Sequence, residues 1–312
     1  LPKRAAPMPS ASRLPRFARG CARWSRGISV MAEPRFSLIV ATRGRDADVG
    51  VLLDSLLAQR RDDLEVIVVD QNGDDRLVPI LARFADRCPI THLRSARAHA
   101  NHARNLGLRQ ARGAIVAFPD DDCILPPGVL DRVAAAFADS TLAVLTGPAA
   151  SPEGGLGSGR WREDGGAITL ANLWTSVIEF NLFLRRDVAE ALGGFDERMG
   201  PGTPWGSAEG NDLVARAIRA WQRALYDPNL RIIHPDKRLT PVAVERARLY
   251  GAGLGVALRR HAPGIGVWLP FFVRPIGGLV LAALKRNHLQ AAYYLATFRG
   301  RLSGFLAREA RS

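Results

Sequence analysis

The 312-residue sequence has only three cysteines, Cys21, Cys88 and Cys123, and no two of them are closely spaced. That scarcity argues against a disulfide framework or a cysteine zinc site, and it makes a reducing compartment the default. The first thirty residues contain no acid. They also lack an apolar stretch long enough for a secretion signal. No Gly-x-Gly-x-x-Gly follows the first apolar run, and GAGLG at 251–255 has no strand before it, which disfavours a dinucleotide-binding oxidoreductase. Helix-turn-helix, zinc and RNA-binding signatures are missing, and so is the twelve-residue loop of a calcium site.

Positive charge, by contrast, is abundant. The formal net charge is +13, and removing Lys3, Arg4, Arg13, Arg16, Arg19, Arg23 and Arg26 leaves +6 for the rest. A basic excess suggests anionic partners. Because so much of it is in the leader, nucleic acid is not expected as a partner. Residues 1–33 read as a disordered or misassigned terminus beginning at Leu1, or alternatively as a basic arm touching a membrane or nucleic acid.

From residue 34 the pattern is that of a folded α/β domain. FSLIVAT (36–42) and LEVIVVD (64–70) are short apolar runs ended by polar residues, as buried strands are. ITHLRS (90–95), GAIVAFPDDD (113–122), LAVLTGPA (142–149) and FNLFLRR (180–186) read as further strands. Helical spacing falls between them at 49–59, 77–86, 98–111 and 128–139. This alternation predicts a mostly parallel central sheet flanked by helices, whose ligands bind beyond the carboxyl ends of the strands. The glycine-rich segment 151–166 reads as a mobile surface loop with an exposed Trp161. GSAEGNDLVARAIRAW (206–221) opens a helix with acids at its favourable N-terminal end. RIIHP ends a short strand pair at His234.

Thr42, Arg43, Asp70 and the row Asp120, Asp121, Asp122 all fall at strand ends, on the expected ligand rim. Adjacent carboxylates there suit a hard divalent cation such as Mg²⁺ or Mn²⁺, which takes oxygen ligands and substrate phosphates. An acidic helix-capping loop would give the same letters.

The ordered series LIVATRGR, VIVVDQNGDD, ARNLGLRQARGAIVAFPDDDC, GGFDERMG and AEGNDLVARAIRAW resembles the family 2 glycosyltransferases of GT-A fold over roughly residues 36–240. The resemblance implies an inverting transferase that moves a sugar from a nucleotide-diphosphate sugar to a hydroxyl acceptor. Thr42 and Arg43 match the first nucleotide-contacting loop, Asp70 the acid that recognises the base, and Arg104 a residue beside the donor. Asp120 and Asp122 match the family's Asp-x-Asp, with Asp122 the metal ligand and Asp120 nearer the ribose. His234 matches a third metal ligand found in some members, although a lone strand-end histidine is often structural. Asp121 is either a partner of its neighbours or a solvated acid.

The family's catalytic base comes from a Glu-Asp pair opening a late helix. Here Gly210 stands where that Asp is expected, so Glu209 is the first candidate for the base. Asp212 is the second, with helix capping as its other role. This departure leaves open a degenerate domain that binds nucleotide or glycan without turnover. A sugar nucleotidyltransferase is disfavoured because ATRGRD is a poor match to its Gly-rich, basic opening loop. Trp205 is either an apolar wall for the acceptor or a loop anchor.

Beyond residue 245 the character changes, which divides the chain into a leader (1–33), a catalytic domain (34–245) and a helical C-terminal region (246–312). VWLPFFVRPIGGLVLAALKRN (267–287) is about long enough to cross a bilayer. Pro270, Pro275 and Arg274 argue instead for an interfacial or re-entrant segment edged by Trp268, Lys285 and Arg286. A helix packed on the catalytic domain is the alternative. The expected setting is the cytoplasmic face of the plasma membrane, with peripheral contact, a saccharide or lipid-linked acceptor, and a role in cell-surface polysaccharide or glycolipid synthesis.

Overall fold

The computed structural model describes residues 22–23 and 33–307. The leader, apart from Ala22, Arg23 and Glu33, lies outside the described residues, as does Cys21.

The apolar runs become strands. In chain order the first half comprises β1 (Ala22–Arg23), β2 (Phe36–Thr42), α1 (Ala47–Leu57), β3 (Leu64–Asp70), α2 (Val78–Ala82), β4 (Ile90–Arg94), α3 (Ala100–Leu108), β5 (Ile115–Ala117), α4 (Val129–Ala136) and β6 (Leu142–Thr146). Then follow β7 (Ala149–Ala150), β8 (Gly166–Ala167), β9 (Leu182–Arg185), α5 (Arg186–Ala191), α6 (Glu209–Arg219), β10 (Arg223–Tyr226) and β11 (Ile232–Ile233). The sheet runs β1-β4-β3-β2-β5-β9-β6-β10-β8, with β7 and β11 forming a separate parallel pair. Strands β4, β3, β2 and β5 are mutually parallel, as are β6 and β10.

Successive side chains alternate between two cores. Leu38, Val40, Val66 and Val68 pack on one face of the sheet, and Ile39, Ile67 and Val69 on the other. Both faces are therefore buried, which is why these strands read as continuous apolar runs. Each such side chain, fully buried, contributes about 1.5–3 kcal/mol.

Two departures from the sequence expectation shape the site. First, β5 stops at Ala117, because Pro119 has no N–H to extend the ladder. The three aspartates therefore lie in a loop, not on the strand. Second, β9 runs antiparallel between β5 and β6, pairing Phe183 with Ala117 and Leu182 with Thr146. Its amino end is consequently level with the carboxyl ends of its neighbours. The short 3-10 turn just before it, Glu179–Asn181, is delivered to the ligand rim.

The C-terminal helices are α7 (Pro241–His261), α8 (Ile265–Leu284) and α9 (His288–Leu306). Residue 245 falls inside α7, which packs on the start of α6: a Cβ at Gly253 would meet the Ser207 carbonyl oxygen at 2.2 Å. Gly251 and Gly255 of α7 face Gly300 and Gly304 of α9. A Cβ on any of the four would come within 2.7 Å of backbone oxygen on the facing helix. The GAGLG stretch thus serves close helix packing.

The prolines of α8 do not interrupt it. Pro275 cannot donate to the Phe271 carbonyl one turn earlier, and the Arg301 guanidinium of α9 donates to that oxygen instead. At about 1.5 Å rise per residue, α8 is roughly 30 Å long. It is long and apolar enough to cross a membrane, and only 17% of its most apolar window is buried. Ile265, Leu269, Val273, Ile276, Val280 and Leu284 are exposed along it.

Candidate active site

The acidic loop is held from below by helix α1. Buried Ser55 accepts the Leu125 N–H at 3.1 Å, and Gln59 Nε2 donates to the carbonyls of Leu125 (3.0 Å) and Pro126 (2.9 Å). A bridge between Ile124 and Ile233, with N–H to O distances of 2.9 and 3.0 Å, brings β11 alongside. Two residues before Ile124 is Asp122, and one after Ile233 is His234. Backbone pairing therefore puts residues more than a hundred positions apart side by side.

Asp120, Asp122 and His234 each offer a ligand atom, all within 4.8 Å of one another. His234 Nδ1 lies 2.8 Å from the Pro235 carbonyl, which can only accept, so Nδ1 carries the hydrogen. In the neutral ring Nε2 is then a lone pair, facing Asp122 Oδ1 at 3.4 Å and Asp120 Oδ2 at 3.9 Å. In that form three acceptors face one another, an arrangement that a cation among them would stabilise. The Phe180 ring stacks on the imidazole at 4.6 Å and 7° and fixes its plane. Two carboxylates and an imidazole match the preferences of Mg²⁺ or Mn²⁺, so the residues fit such an ion.

Cationic side chains already answer the acids. Arg45 pairs with Asp122 and approaches Asp121 at 3.5 Å. Asp121 turns inward beside the Thr42 hydroxyl and is mostly buried. Burial raises its pKa to about 6, Thr42 and Arg45 oppose the shift, and the neighbouring aspartates add to it. Arg104 is buried and bridges Asp120 Oδ1 (2.9 Å) and Glu209 Oε1 (3.0 Å) across the Phe195 ring. Burial alone would lower the Arg104 pKa, but the carboxylates of Asp120 and Glu209 outweigh it and keep the guanidinium charged.

Glu209 is 3% exposed, and its Oε2 has no partner among the described residues. Burial first, and the Glu179 carboxylate second, push its pKa well above the ordinary range. Asp212, one turn on, faces elsewhere. Its Oδ1 accepts from His261 Nε2 (2.8 Å) and Arg260 (3.1 Å), and its Oδ2 from Arg216 (2.8 Å). Burial would raise its pKa, but His261 and Arg216 hold it well below the usual carboxylate value.

The remaining expected residues are placed as follows. Thr42 is buried at the end of β2, and Arg43 is exposed beside it. Asp70 is fully buried: Oδ1 accepts from Asn72 N and Nδ2, both 2.8 Å, while Oδ2 meets His92 (3.0 Å) and Arg94 (3.1 Å). Trp205 is half-buried, with Met199, Ala208 and Ala257 on one side and the Arg260 guanidinium over its ring at 5.5 Å, as a loop anchor would be. Trp161, expected to be exposed, instead packs half-buried against the main core, its indole N–H on the Gly157 carbonyl.

Three residues at the site were not singled out from the sequence. Arg45 was passed over for its neighbour Arg43. Tyr250 comes from α7, and burial raises its pKa, opposed by Arg246 and reinforced by Glu209, Asp120 and Glu179. Glu179 comes from the turn before β9. A Cβ at Gly210 would meet Glu179 Cγ at 3.0 Å, so the glutamate occupies the space a larger residue at 210 would need.

Residues 37–193, half the chain, match the family described as Glycosyl transferase family 2. An uncharacterized glycosyltransferase of Haemophilus influenzae is 36% identical over 92 residues, covering 29% of this chain and 30% of the relative. The alignments span about a third of the length of the curated relatives. Among solved structures, a mannosyltransferase, PcManGT from Pyrobaculum calidifontis in complex with GDP-Man and Mn²⁺, superposes with TM-score 0.58 at 20% identity, over 92% of each chain. S. aureus TarS 1–349 in complex with UDP-GlcNAc gives TM-score 0.58 at 18% identity, over 86% of this chain and 91% of that one. These likenesses establish the GT-A fold.

Proposed function

The chain belongs to glycosyl transferase family 2, and from that premise we propose that it transfers a sugar, with inversion, from a nucleotide-diphosphate sugar to a hydroxyl of a saccharide or lipid-linked acceptor. The convergence of Asp120, Asp122 and His234 at the strand ends, with Arg104 joining Asp120 to Glu209, carries this reading. The three ligands would hold Mg²⁺ or Mn²⁺. Such an ion, when bound, would neutralise the donor diphosphate and make it a better leaving group.

The chain's own residues take the other tasks. Thr42 and the exposed Arg43 line the entry loop for the nucleotide. Asp70 is already held by Asn72, His92 and Arg94, so its part in base recognition is to fix His92 and Arg94 at the rim. Arg104 holds Asp120 toward the donor and, as a buried cation, stabilises negative charge growing on the leaving group. Glu209 keeps Arg104 in place. Mixing the protein with a panel of nucleotide sugars that includes UDP-N-acetylglucosamine and GDP-mannose, in a calorimeter, tests the reading. One nucleotide class is expected to bind with Mn²⁺ or Mg²⁺ and to lose most of its affinity in chelator. Equal binding with and without chelator would remove the metal from this account.

The same proposal places the enzyme at a membrane, at the cytoplasmic face of the plasma membrane, in cell-surface polysaccharide or glycolipid synthesis. Leu269, Val273, Ile276, Val280 and Leu284 recur at spacings of four, three, four and four, one exposed helical stripe on α8. Arg274, Lys285 and Arg286 lie close to it in sequence, as expected for a helix lying on an anionic surface. The full chain should sediment with phosphatidylglycerol-containing vesicles. I276E/V280E/L284E, which alters only exposed positions, should leave most of it in the supernatant. Equal pelleting would discard the membrane role of this helix.

A further inference from the structure

We infer that Glu179, and neither Glu209 nor Asp212, is the base that takes the acceptor's proton; the assignment rests on the glycosyl-transfer reading above.

A base must reach an incoming hydroxyl. Glu209 is sealed at 3% exposure, with Oε1 committed to Arg104. Asp212 is 2% exposed and committed to His261, Arg260 and Arg216. A carboxylate bound to three cationic or donor groups is a poor proton acceptor. Glu179 is only half-buried.

Its position follows from the fold. The antiparallel course of β9 puts the Glu179–Asn181 turn at the carboxyl ends of β5 and β6. Phe180, the next residue, stacks on His234, which ties that turn to the proposed metal ligands. The Glu179 carboxylate also faces the opening of α6, where its Oε1 lies 3.4 Å from the Gly210 N–H. The partial positive charge of a helix N-terminus favours a carboxylate there.

Gly210 links these observations. A Cβ at this position would approach Glu179 Cγ at 3.0 Å and Cα and Cδ at 3.4 Å. An aspartate at 210 would crowd Glu179, whose side chain would have to give by a few tenths of an ångström, and glycine leaves its place open. The carboxylate missing from the helix is therefore supplied from the facing turn. In the transfer step the acceptor oxygen's lone pair forms the bond to the anomeric carbon. The bond from that carbon to the diphosphate oxygen breaks, and its electron pair leaves on the nucleoside diphosphate. The acceptor's proton passes to the Glu179 carboxylate, so atoms and charge balance.

The experiment follows nucleoside diphosphate release from UDP-N-acetylglucosamine and GDP-mannose with Mn²⁺, alongside calorimetric donor binding, for the full chain and three variants. Glu179→Gln should lower kcat by about 10²–10⁴-fold with donor affinity within about threefold of wild type. Glu179→Ala should fall at least as far. E179A/G210D, which restores a carboxylate on the helix once the space is cleared, should recover about tenfold or more over E179A. A kcat for E179Q within threefold of wild type overturns the assignment. So does a loss of donor binding parallel to the loss of rate, which would mark Glu179 as a structural residue only. The failure of the underlying reading looks different. Wild-type protein that binds no member of the nucleotide-sugar panel defeats the glycosyl-transfer reading itself, and wild-type protein that binds but never turns over supports a binding-only domain; either result overturns the base assignment with it.

Discussion

Asp122→Ala is expected to remove metal-dependent nucleotide binding without unfolding the protein. The aspartate is one of the three proposed ligand groups, and no fourth His, Cys, Asp or Glu joins that cluster among the described residues. Removing one of three ligands should weaken Mn²⁺ by more than the 10–100-fold typical for a lost outer partner, so we expect at least about 10²-fold. Turnover should fall in step. Folding should not suffer, because three adjacent aspartates repel one another. Asp121 already feels this: burial, together with Asp120 and Asp122, holds its pKa near 6. Deleting Asp122 relieves that repulsion. It also removes an ion pair with Arg45, whose side chain is 41% exposed, and an exposed pair is worth about 0–1 kcal/mol. Calorimetric titration with Mn²⁺ and thermal unfolding in chelator check the two halves. A midpoint equal to or above wild type, with metal binding lost, is the expected pair of results. A large drop in midpoint would show that the loop is structural.

Asp212→Asn should have the opposite signature, a large loss of stability. This carboxylate joins α6 to α7 through His261 and Arg260 and anchors Arg216, which in turn holds the carbonyls of Leu192 and Gly194. Removing the acid leaves cationic groups without their buried counter-charge, which costs about 3–5 kcal/mol for a fully buried pair. Arg216 is 27% exposed and both arginines keep other partners, so about 3 kcal/mol is the fitting scale. The pH dependence fixes the sign. The folded-state pKa of Asp212 is depressed, despite burial, by His261 and Arg216. Its contribution is therefore fully present above the unfolded value of about 3.9 and is lost as pH falls through the folded value. Urea unfolding of wild type and variant should differ most at neutral pH and converge in acid. A constant difference across that range would place the effect outside the ionised carboxylate.

Much of the fold could be read from the chain because its strands are buried on both faces. Such strands carry an unbroken apolar run, and the polar residue that ends each run marks the rim. Thr42, Asp70 and the aspartate row were found that way. His234 reads from the sequence as either a ligand or a structural strand-end histidine, and the Ile124–Ile233 bridge places it beside Asp122. Glu179 could not be found so. It stands in a turn with no motif around it, and its importance depends on the direction of β9, which an apolar run does not encode. The only trace was indirect: a glycine where a carboxylate was expected. Arg45 was missed because two arginines flank Gly44 in ATRGRD, and only the turn of the loop decides which one faces the acids. The helix α8 carries two prolines, which in the sequence argue against a clean membrane span. It stays whole because the freed Phe271 carbonyl finds Arg301, a partner 30 residues further along the chain.

The sequence by itself determined the α/β alternation, the rim of strand ends, the place of the aspartate row on it and the family. Each is written in local composition and spacing, where burial and backbone chemistry act within a few residues. The tertiary structure decided which carboxylates are buried and paired and which one stays half-open beside α6, which cation answers the acids, and that Asp212 belongs to the anchoring of α7. These depend on strand direction, on register between distant strands and on the space left by single glycines, and such contacts join residues that sequence spacing does not relate.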